Sequence, residues 1–168
     1  MNSKIIVYPI SANPPTFGHA DILLRASKKF DQIYWVAAVN NDKKAIISVD
    51  TQLKMMNDYV SHYQLKNIIS DSCDGSIVRY AQEKKADFIL RGIRNLTDIQ
   101  SEMDLAIGYR GISSDIETIC MFANPGLNMV SSSLVRELAK VGERIDQYVL
   151  PSVSDELKQI LSNLKSNS

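Results

Sequence analysis

The regular alternation of short β-branched runs with amphipathic stretches is the feature that most narrows what this chain can become. Ile5 to Tyr8 is a continuous β-branched and aromatic run stopped by Pro9, the pattern of a strand buried on both faces. From Gly18 onward, Ile22, Leu23, Ala26 and Phe30 recur at helical spacing, with Arg25, Lys28 and Lys29 on other faces. Gln32 to Val39 repeats the strand pattern. Ser48 can then cap a helix carrying Leu53, Met56 and Val60 on one stripe, with Asp50 favourably placed in its first turn. Asn67 to Ile69 reads as a weak strand, Ser76 to Lys84 as a helix with Ile77, Tyr80 and Ala81 inward, and Phe88 to Leu90 as a strand ending at Arg91-Gly92. Ile99, Met103, Ala106 and Ile107 mark the apolar stripe of another helix, and Glu117 to Phe122 another strand. Ser131 or Ser132 can cap a helix through Leu134, Val135 and Leu138, and Val153 to Leu164 closes the chain as an amphipathic helix.

Strands alternating with helices imply right-handed βαβ crossovers. The expected fold class is α/β: a Rossmann-like, doubly wound sheet of about five parallel strands with helices on both faces. A length of 168 residues suits one domain. That domain is expected over residues 1–161, with 162–168 fraying as a tail. In such a sheet ligands sit outside the carboxyl ends of the strands, where the strand order reverses. The loops after Tyr8, Val39, Leu90 and Phe122 are therefore the places to look for chemistry.

Charge excludes some partners. With 19 Lys+Arg against 19 Asp+Glu the chain has no global attraction to a polyanion, so neither nucleic acid nor a membrane surface is an expected partner. The apolar run at the N-terminus is too short for a signal peptide, and no window approaches the roughly 20 apolar residues of a membrane span. Cys73 and Cys120 have no CxxC partner, and with His19 and His62 they show no metal-ligand spacing, so no protein-held metal is expected. Two lone cysteines point to free thiols in a reducing cytoplasm.

The common phosphate loops are missing: there is no GxxxxGK[ST], and among seven glycines no GxGxxG follows a strand. The first strand leads instead into Pro9-Ile10-Ser11-Ala12-Asn13-Pro14-Pro15-Thr16-Phe17-Gly18-His19. A turn so rich in Pro, Ser and Asn is stiff and offers backbone N–H groups to an anion. Gly18-His19 falls at a helix N-terminus, where the dipole and free N–H groups favour a phosphate. On position alone His19 suits a packing or capping role equally well.

Thr16-Phe17-Gly18-His19 resembles the (T/H)xGH signature of nucleotidyltransferases, and Val130-Ser131-Ser132-Ser133-Leu134-Val135-Arg136 resembles their ISSSxxR signature. Between them, Arg91-Gly92-Ile93-Arg94 with Asp98 and Glu102 is similar to the RGLR…D…E element of bacterial phosphopantetheine adenylyltransferase, whose length and order of elements match the chain nearly end to end. The resemblance implies transfer of AMP from ATP to 4′-phosphopantetheine, giving dephospho-CoA and pyrophosphate, in a homohexamer subject to feedback by coenzyme A. It implies Mg²⁺ held mainly by the nucleotide phosphates.

The same resemblance assigns roles. His19, Lys43 and Arg91 would be catalytic, His19 as donor to the α-phosphate and the two cations as contacts to the acceptor phosphate. Ser11 would serve both substrates, and Ile77 would touch the pantetheine arm. Ala12, Gly92, Ile93, Arg94 and Glu102 would border ATP, with Arg94 clamping its β- and γ-phosphates. Leu127, Asn128, Met129 and Val130 would border the adenine, and Ser131, Ser132 and Ser133 would receive phosphates. The chain departs from the GTFDPxTxGH pattern at Ile10, Ser11 and Asn13: a glycine is lost, a hydroxyl is kept and a negative charge is removed. It also lacks the aromatic residue usual before ISSS. Two rivals stand beside this reading. One is another (T/H)xGH transferase acting on nicotinate mononucleotide, or on a glycerol phosphate with CTP. The other is a nucleotide-binding module without turnover.

Overall fold

The computed structural model describes residues 3–39 and 46–166. Strand β1 (Ile5–Ile10) leads through helix α1 (Phe17–Ala26) to β2 (Gln32–Ala38), and α2 (Val49–His62) leads to β3 (Ile68–Cys73). Helix α3 (Ile77–Glu83) crosses back to β4 (Phe88–Ile93), and α4 (Leu96–Ile112) leads to β5 (Glu117–Phe122). A 3-10 turn at Pro125–Leu127 precedes α5 (Ser132–Lys140) and α6 (Pro151–Ser166). The strands form one sheet in the order β3-β2-β1-β4-β5, parallel at every pairing, which is the doubly wound arrangement expected from the sequence.

Right-handed crossovers dictate which face each helix covers. The connections that step from β1 to β2 and from β2 to β3 place α1 and α2 on one face, and those that run back from β3 to β4 and on to β5 place α3 and α4 on the other. Alternation along β1 and β2 divides the core accordingly. Ile6, Tyr8, Ile33 and Trp35 pack with residues of α1, α2, α5 and α6, while Val7, Val36 and Ile89 pack against Val78, Tyr80 and Ala81 of α3.

Four elements differ from the sequence expectation: β1, β3, α4 and α6. Strand β1 continues through Pro9 to Ile10, with Pro9 in register with Val36. Its missing N–H is tolerated where β1 has parted from β4, since those two strands pair only at Ile6–Phe88 and Val7–Ile89. Strand β3 runs on to Cys73 through Ser70, Asp71 and Ser72, because an edge strand need not be apolar on both faces. Helix α4 is rotated from its expected phase. Met103 and Ile107 are exposed at 59% and 70%, while Ile99, Glu102, Ala106 and Tyr109 turn inward. A charge pair between Glu102 and Arg91 of β4 fixes that phase. At the C-terminus, α6 extends beyond Leu161 to Ser166 and so takes in residues of the expected tail. Among the described residues no helix is long and apolar enough to cross a membrane, and Cys73 and Cys120 are free thiols.

Candidate active site

A cavity of about 430 Å³ opens at the carboxyl ends of β1 and β4, at the point where the strand order reverses. Beyond Val7 and Ile89 no ladder joins the two strands, so Tyr8–Ile10 and Leu90–Ile93 splay apart. Of the residues the sequence nominated, Ser11, His19, Arg91, Gly92, Arg94, Glu102, Val130, Ser131, Ser132 and Ser133 line this single cavity. Side chains from five separate stretches of chain thus meet in one crevice.

His19 sits in the first turn of α1, three residues after the N-cap Thr16. The backbone N–H of Thr16 donates to His19 Nδ1 at 3.1 Å, and Thr16 Oγ1 lies 3.0 Å from the same nitrogen. A backbone N–H can only donate, so Nδ1 is the acceptor and the ring proton of the neutral imidazole resides on Nε2. Burial, reinforced by the Arg94 cation, pulls the His19 pKa down to about 4. The side chain is thus a neutral donor at physiological pH.

Arg91 leaves β4 on the face covered by α4. Its Nε and Nη2 donate to Glu102 Oε2 and Oε1 at 2.5 and 2.8 Å, a bidentate pair with both side chains largely buried. Burial disfavours the guanidinium charge, and the hydrogen bonds and charge of Glu102 outweigh it, so the Arg91 pKa is raised. Arg94 forms a second fork: Nε and Nη2 reach Asp98 at 2.9 and 3.1 Å, and Nη1 reaches the carbonyl of Val130 at 3.5 Å. Burial raises the Asp98 pKa, but hydrogen bonds from the side chain and backbone of Arg94 prevail and hold it below the usual carboxylate range.

The serines before α5 divide their labour. Ser131 is the N-cap and accepts from the N–H of Leu134 at 3.1 Å. Ser132 donates to the carbonyl of Pro14 at 2.7 Å, tying α5 to the turn after β1. Ser133 accepts from Arg136 Nη2 at 3.2 Å, while Arg136 Nη1 bonds the carbonyl of Asn13. Arg136 lines the cavity and carries a charge into it, although the sequence reading gave it no role. Its place one helical turn past the capping serines was the available signal. Thr16 was also missed, and the spacing Thr16-x-x-His19 of a capping box pointed to it.

Several nominated residues lie elsewhere. Ala12 is fully buried beneath the turn, and there the backbone is left-handed, with φ 47°. Ile10, which stands where the resemblance leads one to expect glycine, closes β1 in extended backbone and is 6% exposed, so no glycine freedom is required at that position. Ile93 is buried, Leu127 ends the 3-10 turn, and Asn128 and Met129 are exposed beyond it; none of them lines the cavity. Ile77 opens α3 and packs against the core on the far face of the sheet. Lys43 lies outside the described residues.

An α/β sheet split at its switch point, with a neutral imidazole and guanidinium groups facing the split, defines a site for phosphate esters. The chain belongs to the cytidylyltransferase-like family, whose model matches residues 7–138. Its relatives include the phosphopantetheine adenylyltransferase of Synechococcus elongatus, 36% identical over 90% of both chains. That of Clostridium perfringens is 29% identical over 96% of this chain and 98% of its own. Among solved structures, Plasmodium falciparum nicotinic acid mononucleotide adenylyltransferase complexed with NaAD superposes with a TM-score of 0.67, covering 92% of this chain and 94% of its own. At 16% identity that likeness bears on the fold alone.

Proposed function

We propose that this protein transfers AMP from ATP to 4′-phosphopantetheine, giving dephospho-CoA and pyrophosphate. The observation that carries the proposal is the convergence of His19, Arg91 and Arg94 on one cavity, with Ser131, Ser132 and Ser133 at the helix opposite them. Relatives of that name, aligned over nearly the whole chain, supply the substrate identity.

In this reaction an oxygen of the acceptor phosphate attacks the α-phosphorus of ATP, and the bond to the bridging oxygen of pyrophosphate breaks. The attacking group is already an anion, so no side chain has to remove a proton. What the protein must supply is alignment of two mutually repelling esters and stabilisation of charge spread over the α-phosphoryl oxygens. His19 Nε2–H serves as the donor to those oxygens. Arg91 and Lys43 bind the acceptor phosphate, Arg94 the β- and γ-phosphates, and Ser11 a phosphate oxygen between them. The N–H groups that open α5 bind phosphate at the positive end of the helix dipole. Mg²⁺ would come bound to the nucleotide phosphates and would offset part of their charge; the carboxylate in the cavity wall, Glu102, is paired with Arg91, so this wall would offer such an ion few direct ligands.

The assembly we propose is a homohexamer. Leu96, Met103, Ile107, Ile112 and Phe122 present exposed apolar surface on α4 and the edge strand β5, as an interface between copies requires. Feedback by coenzyme A, which shares the pantetheine arm, and a cytoplasmic location in keeping with two free thiols complete the reading.

The test is a substrate panel read out as pyrophosphate release. Release with ATP and 4′-phosphopantetheine is the expected result. Release only with nicotinate mononucleotide, or only with CTP and a glycerol phosphate, overturns it, and tight ATP binding without turnover on any acceptor makes the protein a binding module.

A further inference from the structure

We propose that Asp21 is a positioning residue for the nucleotide: from α1 it sets the loop that joins β5 to α5, and through that loop the cavity wall formed by Val130 and the serines of α5. The inference rests on the proposed function in reading that wall as the nucleotide's side. Asp21 itself does not line the cavity. Gly18, Asp21 and Arg25 follow one another at three and four residues and so share one face of α1, and the loop is laid along that face. Arg25 Nη1 and Nη2 donate to the carbonyl of Phe122 at 2.8 and 2.6 Å, where β5 ends. One turn along, Asp21 Oδ2 accepts from the backbone N–H of Asn124 at 3.3 Å, and Oδ1 accepts from the Asn124 side-chain amide. Arg25 also pairs with Asp21 at 3.5 Å, so the carboxylate is held in turn. Near the helix N-terminus, a Cβ on Gly18 would stand 3.6 and 3.7 Å from the carbonyl oxygens of Leu127 and Val130.

This fastening matters because the loop has little else to hold it. Of residues 123–130 only Val130 is buried, and a segment with so little apolar packing opens at low cost. Its internal order starts at Asn124. Leu127 N–H donates to the Asn124 carbonyl at 2.8 Å, and Val130 N–H donates to the Leu127 carbonyl at 3.1 Å. Two bonded turns thus run from the residue that Asp21 grips to Val130, and Ser131 then caps α5. Ala123 and Val130, the two ends of the loop, line the cavity together with Gly18 and His19 of α1. Because His19 and Asp21 belong to one helix, the clamp keeps the nucleotide wall in register with the imidazole.

A freed loop visits arrangements that cannot take the nucleotide, and the apparent dissociation constant rises by the inverse of the competent fraction. A competent fraction of about a tenth gives Asp21→Ala an ATP dissociation constant about tenfold above that of the wild type. Once ATP is bound the loop is in place, so kcat at saturation should stay within about threefold and the acceptor KM within about twofold.

The deciding experiment is calorimetric titration with ATP, together with kcat and both KM values, for the wild type, Asp21→Ala, Asn124→Asp and the double variant Asp21→Asn, Asn124→Asp. Asn124→Asp sets two carboxylates face to face and should weaken ATP at least as much as Asp21→Ala. The double variant restores a carboxylate–amide pair with its direction reversed and the net charge unchanged, and ATP affinity should return to within about threefold of the wild type. An unchanged ATP constant in Asp21→Ala overturns the proposal, and so does a double variant no better than Asn124→Asp alone. A rise in the acceptor KM that matches the loss of ATP affinity, or losses that follow melting temperature across the set, makes the role structural and likewise overturns it. If Asp21→Ala does not fold, Asn124→Asp and the double variant decide by the same criteria. Should the wild type bind CTP in place of ATP, the proposed function fails, and the same titrations with CTP still decide the role of Asp21. Should it bind ATP and turn over no acceptor, the dissociation constants of ATP and phosphopantetheine decide it. A wild type that binds neither nucleotide overturns both readings.

Discussion

Replacing His19 with alanine tests the site at its centre. The bond from Thr16 N–H to Nδ1 at 3.1 Å leaves the ring proton on Nε2. With a pKa of about 4, only about one ring in a thousand is protonated at pH 7. The catalytic form is therefore a neutral donor whose hydrogen bond strengthens as charge builds on the α-phosphoryl oxygens. Removing one such preorganised donor costs about 3–4 kcal/mol, or a hundred- to a thousand-fold in kcat. Because the gain is realised in the transition state, the KM for ATP should move by no more than about threefold. Pyrophosphate release at saturating phosphopantetheine, followed from pH 8 down to pH 5, measures both parts. Apart from the titration of the substrate phosphates near pH 6, wild-type kcat should be flat between pH 8 and 6, and the contribution of His19 should decline only as the imidazolium forms and the bond from Thr16 N–H to Nδ1 is lost. An increase in kcat as pH falls through 7 to 6 would make the imidazolium the active species and refute the argument. Equal losses in binding and turnover for His19→Ala would refute it from the other side, as the signature of a ground-state anchor.

Stability should carry the same signature. His19 binds its proton less readily in the folded chain than its ordinary 6.5, so the unfolded chain takes up more protons between pH 6.5 and 4, and stability falls as pH drops through that window. The loss should be of order 1–3 kcal/mol and should be absent from His19→Gln, as measured by urea unfolding at pH 7 and pH 4.5. Tyr59→Phe should destabilise the fold by about 1–3 kcal/mol in the same assay. The buried Tyr59 hydroxyl accepts from Leu150 N at 3.2 Å and donates to Pro15 O at 3.4 Å, and the variant leaves both partners unsatisfied.

Burial on two faces is what made β1, β2 and β4 readable, since Ile6, Val7, Trp35, Val36, Ile89 and Leu90 are all fully enclosed and appear in the sequence as unbroken apolar runs. The same rule hid most of β3. Ser70, Asp71 and Ser72 look like a loop to any test for apolar runs, and only pairing with β2 makes them a strand. Helix α4 failed for the opposite reason: Met103 and Ile107 form a plausible buried stripe, and what overrides it is a partner for Glu102 eleven residues away on another element. The cavity itself was legible wherever spacing along one helix or turn decided the outcome, as with His19, Ser131 and Ser133. It was not legible where the outcome depended on packing. The exposure of Met129 and the packing of Ile77 on the far face of the sheet are set by tertiary contacts, which local spacing does not carry.

The parting of β1 from β4 after Val7 has a consequence for how such a crevice tolerates drift. Along the open seam, peptide groups of Tyr8–Ile10 and Leu90–Ile93 face one another with no ladder between them, so the main chain itself presents polar edges to whatever enters. No point substitution short of proline can delete an amide, and none can delete a carbonyl. Side chains such as Ile10 can therefore be exchanged with that part of the binding edge left whole.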